Sequence, residues 1–160
     1  MGSGIQHEKA TKRWSLISGC LVALLFGWKT GLLAGMAFAF GGLWLSPDLD
    51  TESKPLQRWG LFKIIWLPYR KLIKHRSILS HAPVIGTLIR LIYLGFIISV
   101  VLSIVHIPNR ELLNNLGNLL YEQLLLHKSE VLIILIAIEL SVWLHIMQDI
   151  NPINKRKKKN

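Results

Sequence analysis

Seven polar residues hold the ligand chemistry this sequence can offer: His7, Asp48, Asp50, His75, His81, His145 and Asp149. His145 and Asp149 stand four apart, so on a helix both reach one ion from a single face. Asp48 and Asp50 lie two apart in the Pro-broken turn SPDLD, where carboxylates can share or bridge metals. His75 and His81 bracket Arg76 in HRSILSH. Their spacing is too wide for one helical face, so a helix end or turn must fold them together. Imidazole and carboxylate without thiolate suit Zn, Mn or Fe better than Ca or a structural Cys-zinc site. Seven candidates exceed one tetrahedral shell, and they fit one or two ions with some carboxylates orienting histidines instead of ligating. Taken singly, each has a plainer reading: a surface His/Asp pair, a helix-ending turn, an interfacial basic helix. Their falling together on one side of a membrane is what favours metal.

The elements that must position them are helical and apolar. Half of the 160 residues (51%) are hydrophobic although 18% are charged, and the mean hydropathy is +0.41. Charges gather in short blocks with long apolar runs between them, a membrane pattern more than a globular one. The lone Cys20 lies inside an apolar run, which excludes a disulfide framework and a CxxC metal pair. A net charge of +10 therefore reads first as topology, and nucleic acid is the weaker reading.

Along the chain, residues 1–13 read as a short polar start that is not cleaved. Residues 14–28 and 31–45 are apolar, separated by Gly27-Trp28-Lys29-Thr30-Gly31, and Gly31, Gly35, Gly41 and Gly42 favour a tight hairpin of two short helices. Residues 51–80 mix seven Lys/Arg with Trp59, Phe62, Trp66 and Tyr69. This suits two short helices, broken at Pro68, lying among lipid headgroups. Residues 84–107 form the clearest span, residues 110–129 a surface helix with leucines at helical spacing, and residues 131–147 the last span. The fold expected is all-α, an integral membrane bundle of about four short spans, the first two a hairpin, with an interfacial basic helical loop. Residues 1–153 make one domain and 154–160 a basic solvated tail.

With four spans, residues 1–13, 46–83 and 148–160 share one side and hold 15 of the 19 Lys/Arg. The positive-inside rule places that side, with both termini, in the cytoplasm of a bacterial plasma or thylakoid membrane. Trp14, Trp28, Trp44 and Trp143 fall near span ends, as an aromatic belt requires. All seven candidate ligands then face the cytoplasm. His106 and His127, with no carboxylate at ligand spacing, face the other way. Within the spans, Arg90 and Glu139 read as a structural ion pair.

GGLWLSPDLD, RWGLFKIIWLPYRKLIKHRSILSHAPVIGT, GIQHEKAT and LHIMQD resemble a family of uncharacterised metal-binding membrane proteins common in cyanobacteria, distantly related to the YdjM-like membrane-bound metal-dependent hydrolases. The resemblance covers roughly residues 2–152 and is densest over 41–87. It implies that the same seven residues are the family's polar signature.

Three functions follow. The first is a metal-dependent hydrolase acting on a phosphoester or lipid-like substrate at the cytoplasmic surface. Asp50 or Asp149 would be general base and Arg76 would hold the anion. The second is a metal that staples short helices or senses supply. The third is a metal-free scaffold for anionic lipid headgroups or a protein partner, in which the seven residues would not converge. No GxGxxG, Walker loop or GxSxG supports nucleotide or serine-hydrolase chemistry.

Overall fold

The computed structural model describes residues 4–73, 77–106 and 110–150, and every regular element among them is helical. α1 (Gly4–Phe26) and α2 (Trp28–Leu43) are followed by a 3₁₀ turn (Pro47–Asp50) and α3 (Lys54–Arg58). A 3₁₀ helix (Gly60–Trp66), α4 (Leu67–Leu72) and α5 (Ile78–His81) come next, then α6 (Ile85–His106), α7 (Arg110–Leu126) and α8 (Lys128–Ile150).

α1 and α2 fold back on one another through Gly27 alone, whose φ of 88° is a left-handed value that favours glycine. The turn is tighter than the five-residue connection expected. α1 also starts ten residues before the apolar run at Trp14, because the polar segment is itself helical. Glu8 and Lys12, four apart, bond across one turn at 2.7 Å. Where α1 meets α2, a Cβ on Gly31 would stand 2.5 Å from the Gly19 carbonyl oxygen, so the contact needs a bare backbone.

α2 packs on α8 through Ala34, Ala37, Phe38, Ala137 and Ile138. A second core lies under the basic loop, where Leu45, Leu49, Leu56, Trp66 and Tyr69 are buried against Ile89, Tyr93 and Leu94 of α6. Burial pushes the Tyr69 hydroxyl above the ordinary tyrosine range. Pro68 falls in the first turn of α4, where its missing N–H costs nothing. It therefore begins a helix, and the segment's breaks fall at Gly60 and Leu67.

Among the described residues, three stretches are long and apolar enough to cross a membrane: Trp28–Asp50, Ile85–Val105 and Lys128–Ile150. α1 is not one of them, since Glu8, Lys9, Lys12 and Arg13 occupy its first half. Arg90 and Glu139 find other partners than each other. Arg90 donates to the Ser80 carbonyl (2.7 Å) and to Thr87 Oγ1 (3.3 Å). Glu139 accepts the Val84 N–H at 2.8 Å.

Candidate metal centre

α1 and α6 begin at one end of the bundle, and α2 and α8 finish there. At that end the turn after α2 is built to present Asp48. Ser46 accepts the Asp48 N–H at 3.4 Å, and Pro47 starts the 3₁₀ turn. The Asp48 carbonyl in turn accepts from Ser53 Oγ (2.7 Å) and Thr51 Oγ1 (3.2 Å). α8 presents His145 and Asp149 one turn apart on one face. α5 presents His81, and its backbone is fixed by the Arg90 bond to the preceding carbonyl.

One ligand atom each from Asp48, His81, His145 and Asp149 all lie within 4.8 Å of one another. His145 Nε2 stands 3.4 Å from Asp48 Oδ2 and 3.7 Å from Asp149 Oδ2, and His81 Nε2 stands 3.7 Å from Asp48 Oδ1. His7 joins from α1, with Nε2 3.3 Å from Asp149 Oδ1 and its ring stacked on His145. Asp50 lies behind the cluster, its side chain wholly buried and Oδ2 3.7 Å from His81 Nδ1. Ser80 Oγ is 2.9 Å from the same nitrogen. Asp50 is thus placed to orient His81, outside the four-residue group. His75 and Arg76 lie outside the described residues.

The donor set fits a divalent cation. His145 Nε2 is buried, has no hydrogen-bond partner among the described residues, and faces two carboxylate oxygens. A tetrahedron of bonds about 2.0–2.2 Å long has edges of about 3.3–3.6 Å, close to the imidazole–carboxylate distances found. The two carboxylates bring negative charge to the group, which favours a divalent cation. The Asp, His, His, Asp set suits several divalent metals and selects none.

His7, Asp48 and His145 also line a small cavity of about 20 Å³, together with Glu8, Arg58, Ser46 and Pro55. That is room for one water. Arg58 bonds Glu8 Oε2 at 2.6 Å and the Leu43 carbonyl at 3.0 Å. The hydrogen bond from Lys12 and the charge of Arg58 hold the Glu8 carboxyl below the usual carboxylate range. Arg58, Glu8 and Ser80 are site neighbours that the sequence reading passed over. Arg58 is one of seven Lys/Arg in a basic block, and a helical serine carries no signal. His127, expected to have no carboxylate at ligand spacing, has Glu130 at 3.8 Å, three residues on; His127 just precedes α8 and Glu130 lies in its first turn, at the opposite end of the helix from His145 and Asp149.

The model of the uncharacterized metal-binding protein family DUF2227 matches residues 2–159. The chain belongs to this family. A 61-residue stretch is 46% identical to an uncharacterized protein of Aquifex aeolicus (strain VF5), covering 38% of this chain and 43% of that protein. The chain therefore spans less than half the length of that relative. No solved structure matches.

Proposed function

We propose that this DUF2227 member is an integral membrane protein that binds a divalent metal at the cytoplasmic face and hydrolyses a phosphoester of a lipid-like amphiphile. The observation that carries the reading is the convergence of Asp48, His81, His145 and Asp149 beside a water-sized cavity, at the ends of apolar helices. The three apolar stretches support a membrane setting; α1 as a fourth span, cytoplasmic termini, and a plasma or thylakoid membrane belong to the proposal. So does the relation to the YdjM-like hydrolases.

Asp48, His81, His145 and Asp149 would hold the metal, zinc before Mn or Fe, with His7 as a further donor. A second ion would call on His75. The metal supplies Lewis acidity to a phosphoryl group. Where His7 takes the fourth position on the metal, Asp149, which faces both His7 and His145, is instead the carboxylate placed to take a proton. Asp50 backs His81 and suits orientation better. The anion is met by Arg58 on the cavity wall and by Arg76. His7 and Asp50 keep the rings in place, and the buried floor of Leu45 and Leu49 excludes water from behind.

The test is phosphoester turnover by the detergent-purified, metal-loaded protein, with His145→Ala as the control. Metal-dependent turnover lost in the variant supports the reading. Stoichiometric metal with no turnover across phosphomonoesters and diesters overturns it in favour of a staple or sensor. That second reading has its own support: donors come from α1, the turn after α2, α5 and α8, which one ion would tie together.

A further inference from the structure

The loop between α3 and α5 carries a group of bare apolar side chains. Leu61 is 92% exposed, Phe62 71%, Ile64 65% and Leu72 81%. They occupy the outer side of a segment whose inner side, Trp66 and Tyr69, is buried on α6. The depth of that contact decides what covers the outer side. The Tyr93 hydroxyl donates to the Ile65 carbonyl. Tyr93 lies eight residues beyond the start of α6 at Ile85, about 12 Å along the axis. Tyrosine side chains on a helix lean back toward its N-terminus, so the Ile65 carbonyl hangs beside the second turn or so of the most apolar stretch in the chain.

The segment is built for such a place. Gly60, with φ of 55°, turns the chain at its start. The Phe62 N–H bonds the Trp59 carbonyl at 2.9 Å, the Leu67 N–H bonds Ile64, and Tyr93 serves Ile65. Backbone polar groups at membrane depth must find such partners. Lys63 stands between Phe62 and Ile64, and Lys71 beside Leu72. Both have stems long enough to keep their ammonium groups at the headgroups while their neighbours go deeper.

We infer that residues 60–72 form a wedge in the leaflet bordering the metal centre, with Leu61, Phe62, Ile64 and Leu72 among the acyl chains and Lys63 and Lys71 on anionic headgroups. The inference rests on the membrane setting proposed above and not on the metal.

Single cysteines at Leu61→Cys and, as a mid-span control, Ile98→Cys, each with Cys20→Ala, would carry an environment-sensitive fluorophore. The full chain is reconstituted in phosphatidylcholine–phosphatidylglycerol vesicles containing doxyl-labelled lipid. The wedge predicts that both positions are quenched by lipid-borne doxyl and shielded from aqueous iodide. It also predicts roughly two-fold stronger quenching at Leu61→Cys by doxyl-phosphatidylglycerol than by doxyl-phosphatidylcholine, a preference lost in Lys63→Gln/Lys71→Gln. Quenching of Leu61→Cys by iodide alone, with the control quenched by doxyl, overturns the wedge and leaves the membrane setting standing. Failure of doxyl at both positions overturns the two together. Equal quenching by the two labelled lipids overturns the headgroup role of the lysines.

Discussion

The His7 ring stacks on the His145 ring, with centroids 4.2 Å apart and planes 27° from parallel. Residues separated by almost the whole chain are thereby held face to face, and the start of α1 becomes a wall of the site on α8. His7→Ala should keep the fold, because the glycine-rich contact with α2 anchors α1 independently. It should weaken metal binding by roughly 10-fold, the low end for losing a group that orients ligands. Competition with a chromophoric chelator measures this. Unchanged affinity would make the stacking incidental.

Ser80 has a narrower role. Its carbonyl is held by Arg90 and its hydroxyl lies 2.9 Å from His81 Nδ1. Ser80→Ala keeps the carbonyl and removes only the hydroxyl. The expected result is metal affinity lowered roughly 10-fold, the low end for a partner that orients a ligand, with the melting temperature little changed. A large fall in melting temperature with unchanged affinity would contradict it.

Close approach of α2 and α8 aligns Asp48 with His145. A Cβ on Gly41 would stand 2.4 Å from Ser141 Oγ and 2.9 Å from Ile138 Cα. The second neighbour is backbone and cannot swing aside. Gly41→Ala should cost about 1–3 kcal/mol through overpacking and should lower metal affinity as well, since the helices must part. Thermal unfolding in detergent and a metal titration read the two effects.

Metal should stabilise the fold by mass action. At 100 times its dissociation constant, an ion that binds only the folded chain adds about 2.7 kcal/mol. Chelation should lower the melting temperature, and re-addition should restore it. Because ligating imidazoles must be unprotonated, this stabilisation should fade as pH falls and return as it rises. Stability indifferent to chelator at neutral pH would contradict the proposal.

The helices were legible because apolar runs and charge blocks alternate plainly, and the spacing of His145 and Asp149 foretold their shared face. Asp48, His81, His145 and Asp149 were all legible as candidate donors, and the structure adds that one ligand atom from each lies within 4.8 Å of the others. What sequence could not resolve depends on tertiary partners. Asp50 looks as good a ligand as Asp48 two residues before it, yet the turn sends it behind His81. Arg90 and Glu139 looked like a pair, but each was taken by nearer backbone. Arg90 satisfies Ser80, and Glu139 holds Val84, a β-branched residue at φ 63° that needs a reason to stay there. The 3₁₀ helix at Gly60–Trp66 is too short for its three-residue period to announce it.

Metal content of the detergent-purified protein, by mass spectrometry beside a His81→Ala/His145→Ala double variant, bears most directly on the centre. The expected result is one or two equivalents of Zn, Mn or Fe in the native protein, absent from the variant while its helical circular dichroism persists. A native protein that holds no metal after reconstitution with each of these ions would contradict the account.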